Sequence, residues 1–325
     1  MHRRQKKRII QCVRRPFEWV GIALGLLVFA HLPRRAMQAV CDFGSAVMYF
    51  FDRRGRELAL ANLRIVFGKD VPGAEKIVKR SYRNMARSVG HAFWTCRNAA
   101  KRAAAAGEMS GEAKAFLAAH RPAVTVSAHL GCWEILSQLA FLEGHSMMSV
   151  AKDIGTSAMT ALLMRARRSI GQEIVRADGA FRPLMQGLRD GKSLGLLVDQ
   201  VVKPRNGGVW VRFFGVPVPV SAAPAFFAAK GKAPVVIAWS RPLRDGRYRC
   251  EGLRTYAPGD ARDIWAFTQE CIKDLERVIR RHPSCWVLNY RYFRKRPTAA
   301  DLALLESRES KAGAAAHLRI GRPKW

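Results

Sequence analysis

From residue 123 onward the chain alternates short apolar runs with segments of helical periodicity, and this alternation restricts it to few folds. Ala123–Ala128, Met147–Ala151, Ser193–Val198, Val209–Phe214 and Pro234–Ser240 read as strands. Met159–Ser169, Phe181–Arg189, Ala222–Lys230 and Ile264–Arg281 carry apolar residues at helical spacing. Strands that alternate with helices form mostly parallel sheets, because each crossover helix lays its apolar stripe back on the sheet. The expected fold is therefore α/β, a mostly parallel central sheet flanked by helices. In such sheets chemistry gathers at the carboxyl ends of the strands. His129 follows Ala123–Ala128 at such an end, and Asp199 closes Leu194–Asp199 at another.

His129-Leu-Gly-Cys-Trp-Glu134 places a histidine and a carboxylate at i and i+5. On a regular helix such residues lie about 140° apart and share no face. They can converge if His129 ends a strand, Gly131 turns the chain and Glu134 enters the first turn of a helix. A histidine oriented by a carboxylate, beside helix N-terminal N–H groups, suits a general base next to an oxyanion site. The alternative reading is a structural histidine with satisfied hydrogen bonds.

Helical periodicity also dominates Arg53 to Cys96, and an Ala-rich charged stretch over residues 99–119 reads as a helical connection. Residues 1–16 carry seven Lys or Arg and no acid, followed by the apolar run Phe17–Ala30. The run is short for a span of about 20 residues and lacks a persuasive cleavage site. With the second apolar run, Ala36 to Phe51, it reads as an uncleaved anchor or a deeply inserted interfacial helix, its basic flank cytoplasmic. A buried helix of a soluble protein is the other reading.

Lys plus Arg number 56 against 25 acids, a net charge of +31 over 325 residues, and the excess runs along the whole chain. Such a surface favours polyanions: nucleic acid, anionic lipid, or phosphorylated substrates and carriers. No zinc finger, basic zipper or recognition helix is present, which argues against nucleic acid. The aromatics of Tyr290-Arg-Tyr-Phe-Arg-Lys295 suit base stacking and a membrane belt equally. Seven cysteines, odd in number and without a CxxC pair, read as reduced core residues, and no His/Cys spacing suggests a metal.

Two motifs fail on context. Gly191-Lys-Ser-Leu-Gly195 has the letters of a nucleophile elbow, and Gly187-Leu-Arg-Asp-Gly191-Lys-Ser193 is one residue short of a P-loop. Both motifs require a strand before the loop and a helix after it, and here the order is reversed.

With these residues in place, the chain resembles the bacterial lipid A biosynthesis (late) acyltransferases of the lysophospholipid acyltransferase superfamily. The likeness extends to about Pro297. It rests on the basic amino terminus, Arg56, Ala61-Asn-Leu63, Val66-Phe67 and the His129–Glu134 block. It continues through Arg176, Leu188-Arg-Asp-Gly191, Asp199-Gln200, Phe213-Phe-Gly215, Pro224, Trp286 to Arg291 and Arg296-Pro297. Cys132 departs from the asparagine common in relatives.

The resemblance implies a glycerol-3-phosphate acyltransferase-like fold: basic amino terminus and anchor over residues 1–35, acyltransferase domain over 36–297, tail over 298–325. It implies acyl transfer from an acyl-carrier-protein thioester, or from acyl-CoA, to a hydroxyl of a phosphorylated glycolipid, the lipid A precursor. Another glycolipid or a lysophospholipid is the alternative acceptor. No cofactor, metal or nucleic acid is implied. His129 would remove the hydroxyl proton, Glu134 would orient its imidazole, and no acyl-enzyme would form. Arg176, or else Arg168, would bind phosphate or the oxyanion. Asp199 would orient an arginine or the acceptor, or serve as a strand-end turn residue. The expected location is the inner membrane, with the catalytic domain on its cytoplasmic side and in contact with anionic lipid.

Overall fold

The computed structural model of the chain describes Gly25, residues 28–151, Met164, Arg167, Arg168 and residues 171–315, with side chains to residue 312. Helices α1 (Arg34–Phe51), α2 (Arg53–Phe67), α3 (Ala74–Trp94) and α4 (Ala99–Ala106) come first. The α/β portion follows: β1 (Gly107–Met109), α5 (Gly111–Ala119), β2 (Val124–Ser127), α6 (Trp133–Leu142), β3 (Met147–Ala151), β4 (Gln172–Arg176), α7 (Phe181–Arg189) and β5 (Ser193–Leu197). The chain then runs through β6 (Gly208–Phe213), β7 (Val216–Ser221), α8 (Ala223–Gly231), β8 (Val235–Pro242), β9 (Tyr248–Tyr256), α9 (Ile264–Arg281) and α10 (Ala299–Ala315).

Seven strands form one sheet in the order β1-β9-β8-β2-β5-β3-β4. From β8 to β4 neighbours are parallel; β9 is antiparallel to β8, and β1 parallel to β9. The mostly parallel α/β sheet expected from the alternation is present. β4 and β9 lie in or next to the sheet margin and carry charge (Glu173, Arg249, Glu251, Arg254), so they lack the apolar signature of the central strands.

Val209–Phe214 reads as a strand from sequence but does not join this sheet. It forms β6 of a separate hairpin with β7. The two-residue turn Phe214-Gly215 has φ of 52° and 79°, the positive angles that a tight hairpin turn demands. Pro217 and Pro219 of β7 lack the N–H groups that an interior strand needs.

The two sheet faces are packed differently. Val124 and Val126 of β2, Leu194 and Leu196 of β5 and Val235 and Ile237 of β8 point into the main core, beneath α7, α8 and α9. The opposite face presents small residues, including Thr125, Ser127, Ser149, Gly195 and Ala238, and lines a cavity below α5 and α6. This difference follows from the period of two along each strand. Large residues fill one side, and small ones leave room on the other.

The described part of the segment assigned to the tail, up to residue 315, forms α10 against the domain. Leu305 is buried, and Glu309 pairs with Arg212 at 2.9 Å. Among the described residues no helix is long and apolar enough to cross a membrane. The apolar run over residues 17–30 falls almost wholly outside the described residues.

Candidate active site

β2 and β5 are parallel neighbours in a register that sets Ser127 beside Leu197. Two residues further along each strand come His129 and Asp199. His129 Nδ1 lies 2.8 Å from Asp199 Oδ1, and the His129 main-chain N–H donates to Oδ2 at 3.1 Å. The indole N–H of Trp286 donates to the same Oδ2 at 3.0 Å. Asp199 is fully buried, where an unpartnered carboxylate would be costly, and these donors supply the compensation. Burial alone would raise its pKa, but the His129 ring, the Trp286 indole and the His129 N–H leave it below the usual carboxylate range.

The third partner, Trp286, is positioned by residues far away in sequence. Ser81 of α3 donates its hydroxyl to the Trp286 carbonyl at 2.5 Å and accepts the Leu288 N–H at 3.2 Å. Asn62 of α2 donates to the carbonyls of Leu288 and Tyr290 at 2.7 and 2.8 Å. Trp286 is fully buried and stacks on Tyr292 with ring centroids 4.1 Å apart. The amino-terminal helices thus fix the strap that carries the indole onto Asp199.

Between β2 and α6 the chain turns sharply at Gly131, whose φ is +65°. A β-carbon there would collide with the Ser240 carbonyl, so both the angle and the close approach require glycine. The N–H groups of Gly131 and Cys132 are taken by the Cys285 carbonyl and the Ser240 hydroxyl, each at 2.8 Å. Glu134 then lies in the first turn of α6. The strand, glycine turn and helix expected around the hexapeptide are all present.

The side chains pair differently from expectation. Glu134 does not orient His129; that place belongs to Asp199. Instead Glu134, largely buried, takes a bidentate ion pair from Arg167, with Arg167 Nε 3.0 Å from Oε2 and Nη2 on Oε1. The Trp133 indole N–H also donates to Oε1, at 3.1 Å. The local reason is helical direction: in the first turn of α6 the Glu134 side chain leaves the strand axis, while the parallel ladder holds Asp199 directly beside His129. The Trp133 ring meets the His129 ring edge-on at 5.0 Å, so the two pairs adjoin.

The other ring nitrogen, His129 Nε2, lies 3.3 Å from Gln200 Nε2. With Asp199 accepting from Nδ1–H, Nε2 keeps its lone pair, and the Gln200 amide can donate to it. His129, Gln200, Trp133, Glu134 and Arg167 all line one cavity of about 1600 Å³. Its inner wall is apolar, with Phe116, Leu117, Leu136, Met147 and Val236 under the sheet, and its rim is strongly basic. Among the described residues no group of three or more His, Cys, Asp or Glu is placed to hold a metal ion.

Cys132, next to the turn, is fully buried, and burial pushes its thiol up to about 12. It stays protonated at neutral pH and is a poor nucleophile. It occupies the N-cap of α6 without a side-chain cap bond, beside the buried Ser88 hydroxyl.

A model of the bacterial lipid A biosynthesis acyltransferases matches residues 3–295. The chain belongs to that family. It is accordingly an O-acyltransferase of the lipid A biosynthesis type. A search of curated proteins gave no match.

Within this acyltransferase, the arginines named from sequence fall beside the site. Arg168 is exposed, and Arg176 is exposed at the end of the edge strand β4; neither lines the cavity. Arg167 is the arginine brought to Glu134. A one-residue offset on a helix turns a side chain by about 100°, which pattern alone does not resolve. Gln200 and Trp286 stood only within family-like blocks, and no local signal marked their contact with the His129–Asp199 pair.

Proposed function

We propose that this acyltransferase moves a fatty acyl chain from an acyl-carrier-protein thioester to a hydroxyl of a lipid A precursor, with His129 as general base and Asp199 as its orienting partner. The observation that carries this reading is the short Asp199–His129 Nδ1 contact, which leaves Nε2 facing the cavity. A hydroxyl is a weak nucleophile at neutral pH. His129 Nε2 takes its proton as the oxygen attacks the thioester carbonyl, and the buried Asp199 carboxylate stabilises the imidazolium. The C–S bond then breaks, and the imidazolium returns a proton to the departing thiolate.

Arg167, locked on Glu134, supplies positive charge in the same cavity for the oxygen that becomes negative during attack. Glu134 thus acts through the arginine. No acyl-enzyme is required, since the thiol closest in sequence to the base is buried and protonated. The apolar inner wall is suited to a hydrocarbon chain.

The enzyme works at the cytoplasmic side of the inner membrane. Val40, Phe43, Val47, Phe50 and Phe51 of α1 are exposed at helical spacing, with the exposed Arg35 before them and Arg53 and Arg54 just after. Such a stripe enters the headgroup layer of an anionic bilayer.

Mass spectrometry of lipid A from a strain lacking this gene tests the reading. Wild type should restore the missing acyl chain, and His129→Ala should not. Restoration by His129→Ala would overturn the mechanism.

A further inference from the structure

Two segments build the catalytic pair from opposite sides, and both run on into cations. Beyond β5 and Asp199-Gln200, the chain runs on to Lys203 and Arg205; beyond Trp286, the strap continues to Arg294 and Lys295. All four side chains are exposed and line the cavity that His129 enters. The first segment is pinned rather than loose. Val202 N–H donates to Pro219 O at 2.9 Å, and Lys203 O accepts from Asn206 and Gly208 at 2.8 and 3.2 Å. The second is held by Tyr292, which stacks on Trp286 and donates its hydroxyl to Val287 O at 2.9 Å.

Two of the three carboxylates that line this cavity are engaged by arginines, and the third, Asp178, is exposed. Of the cavity's acids, Glu134 is paired with Arg167 and Glu251 with Arg241, while Asp178 follows the edge strand β4. Asp301, whose field reaches Lys295, accepts the Thr298 N–H and hydroxyl at 2.9 and 2.8 Å. Elsewhere exposed cations do find acids, as in Arg53–Glu57, Arg64–Asp70 and Arg247–Asp245. Among the described residues none of the four rim cations has such a pair. Unpaired like charges beside a low-dielectric cavity repel one another, and a bound anion relieves that repulsion.

We propose that Lys203, Arg205, Arg294 and Lys295 form an anion subsite that seats a phosphate group of the acceptor lipid while its hydroxyl reaches His129. This rests on the acyltransferase reading above and gives the acceptor a polar foothold at the open rim. The apolar inner wall is left to the acyl chain.

The test uses the purified full-length enzyme in detergent micelles, with a phosphorylated lipid A precursor and the same lipid after phosphatase treatment. Lys203→Ala/Arg205→Ala and Arg294→Ala/Lys295→Ala should each raise KM for the phosphorylated acceptor about 10-fold with kcat nearly unchanged. KM for the dephosphorylated acceptor and for the acyl donor should not move. Lys79→Ala/Arg80→Ala, which removes the same charge from exposed positions on α3, should leave all three values unchanged. A rise in donor KM instead would assign the rim to the carrier, and equal effects on both acceptors or from the α3 pair would reduce it to general charge. Either outcome overturns the proposal. If neither acceptor is acylated, the catalytic reading fails, and equilibrium binding of the two lipids to wild type and variants decides the subsite separately.

Discussion

Asp199 stands beside His129 because β2 and β5 are parallel and in a register that carries both residues two positions past the last paired couple, Ser127 and Leu197. The pair therefore inherits the rigidity of the sheet. A general base on a strand end, the role proposed for His129, keeps its orientation better than one on a loop, which suits the proposed proton removal by one lone pair.

Asp199→Asn should lower kcat by about 10²–10⁴-fold, because an amide no longer selects the Nδ1–H tautomer or stabilises the imidazolium. Acceptor KM should change little. Trp286→Phe removes one donor to Asp199 while keeping a ring on Tyr292, and a loss of about 10-fold in kcat is expected. Steady-state kinetics on both variants checks the pair; wild-type kcat in Asp199→Asn would exclude the orienting role.

Glu134 and Arg167 should behave as one unit. Glu134→Gln leaves a largely buried guanidinium without its carboxylate, and Arg167→Lys loses the bidentate geometry. Each should cost about 10²-fold in kcat, and the double variant should be little worse than the poorer single one. Arg168→Ala and Arg176→Ala should remain within about 2-fold of wild type, since neither side chain lines the cavity. Additive losses in the cycle would show that the two residues act independently.

Gly131→Ala should destabilise the fold by at least about 2 kcal/mol, through a positive φ and overlap with the Ser240 carbonyl. Thermal unfolding measures this. An unchanged Tm would mean that the turn can relax, contrary to the packing seen between β2 and β8.

His91 gives the protein an acid-sensitive core. It is buried on α3, its Nε2 is 2.8 Å from Gln138 Oε1, and burial lowers its pKa below the ordinary value. The unfolded chain then binds the proton more readily than the folded one. Stability should therefore be intact above about pH 6.5 and fall as pH drops below it, by up to about 1.4 kcal/mol per pH unit for this group. Denaturant unfolding between pH 7.5 and 5 should show a shallower decline in His91→Gln. An identical slope in the variant would remove His91 as the cause.

The sequence alone determined a good deal. Apolar runs separated by helical periods specified a mostly parallel sheet, since central strands buried on both faces cannot avoid an apolar signature. The same pattern put His129 and Asp199 at strand ends, and the glycine between β2 and α6 marked the turn. Strands at or next to the sheet margin were harder to read because they tolerate charge, as the edge strand β4 and its counterpart β9, covered only by the three-residue β1, do.

Partner choice was decided only in three dimensions. Glu134 is five residues from His129 and Asp199 is seventy, yet sheet register joins the distant pair and helical direction separates the near one. Trp286 and Ser81 meet because α3 packs on the strap, and Arg167 rather than its neighbour Arg168 reaches Glu134 because of one helical step. Periodicity reports which face of an element is buried. It carries no information on which buried groups will meet, because that depends on how separate elements are set against each other.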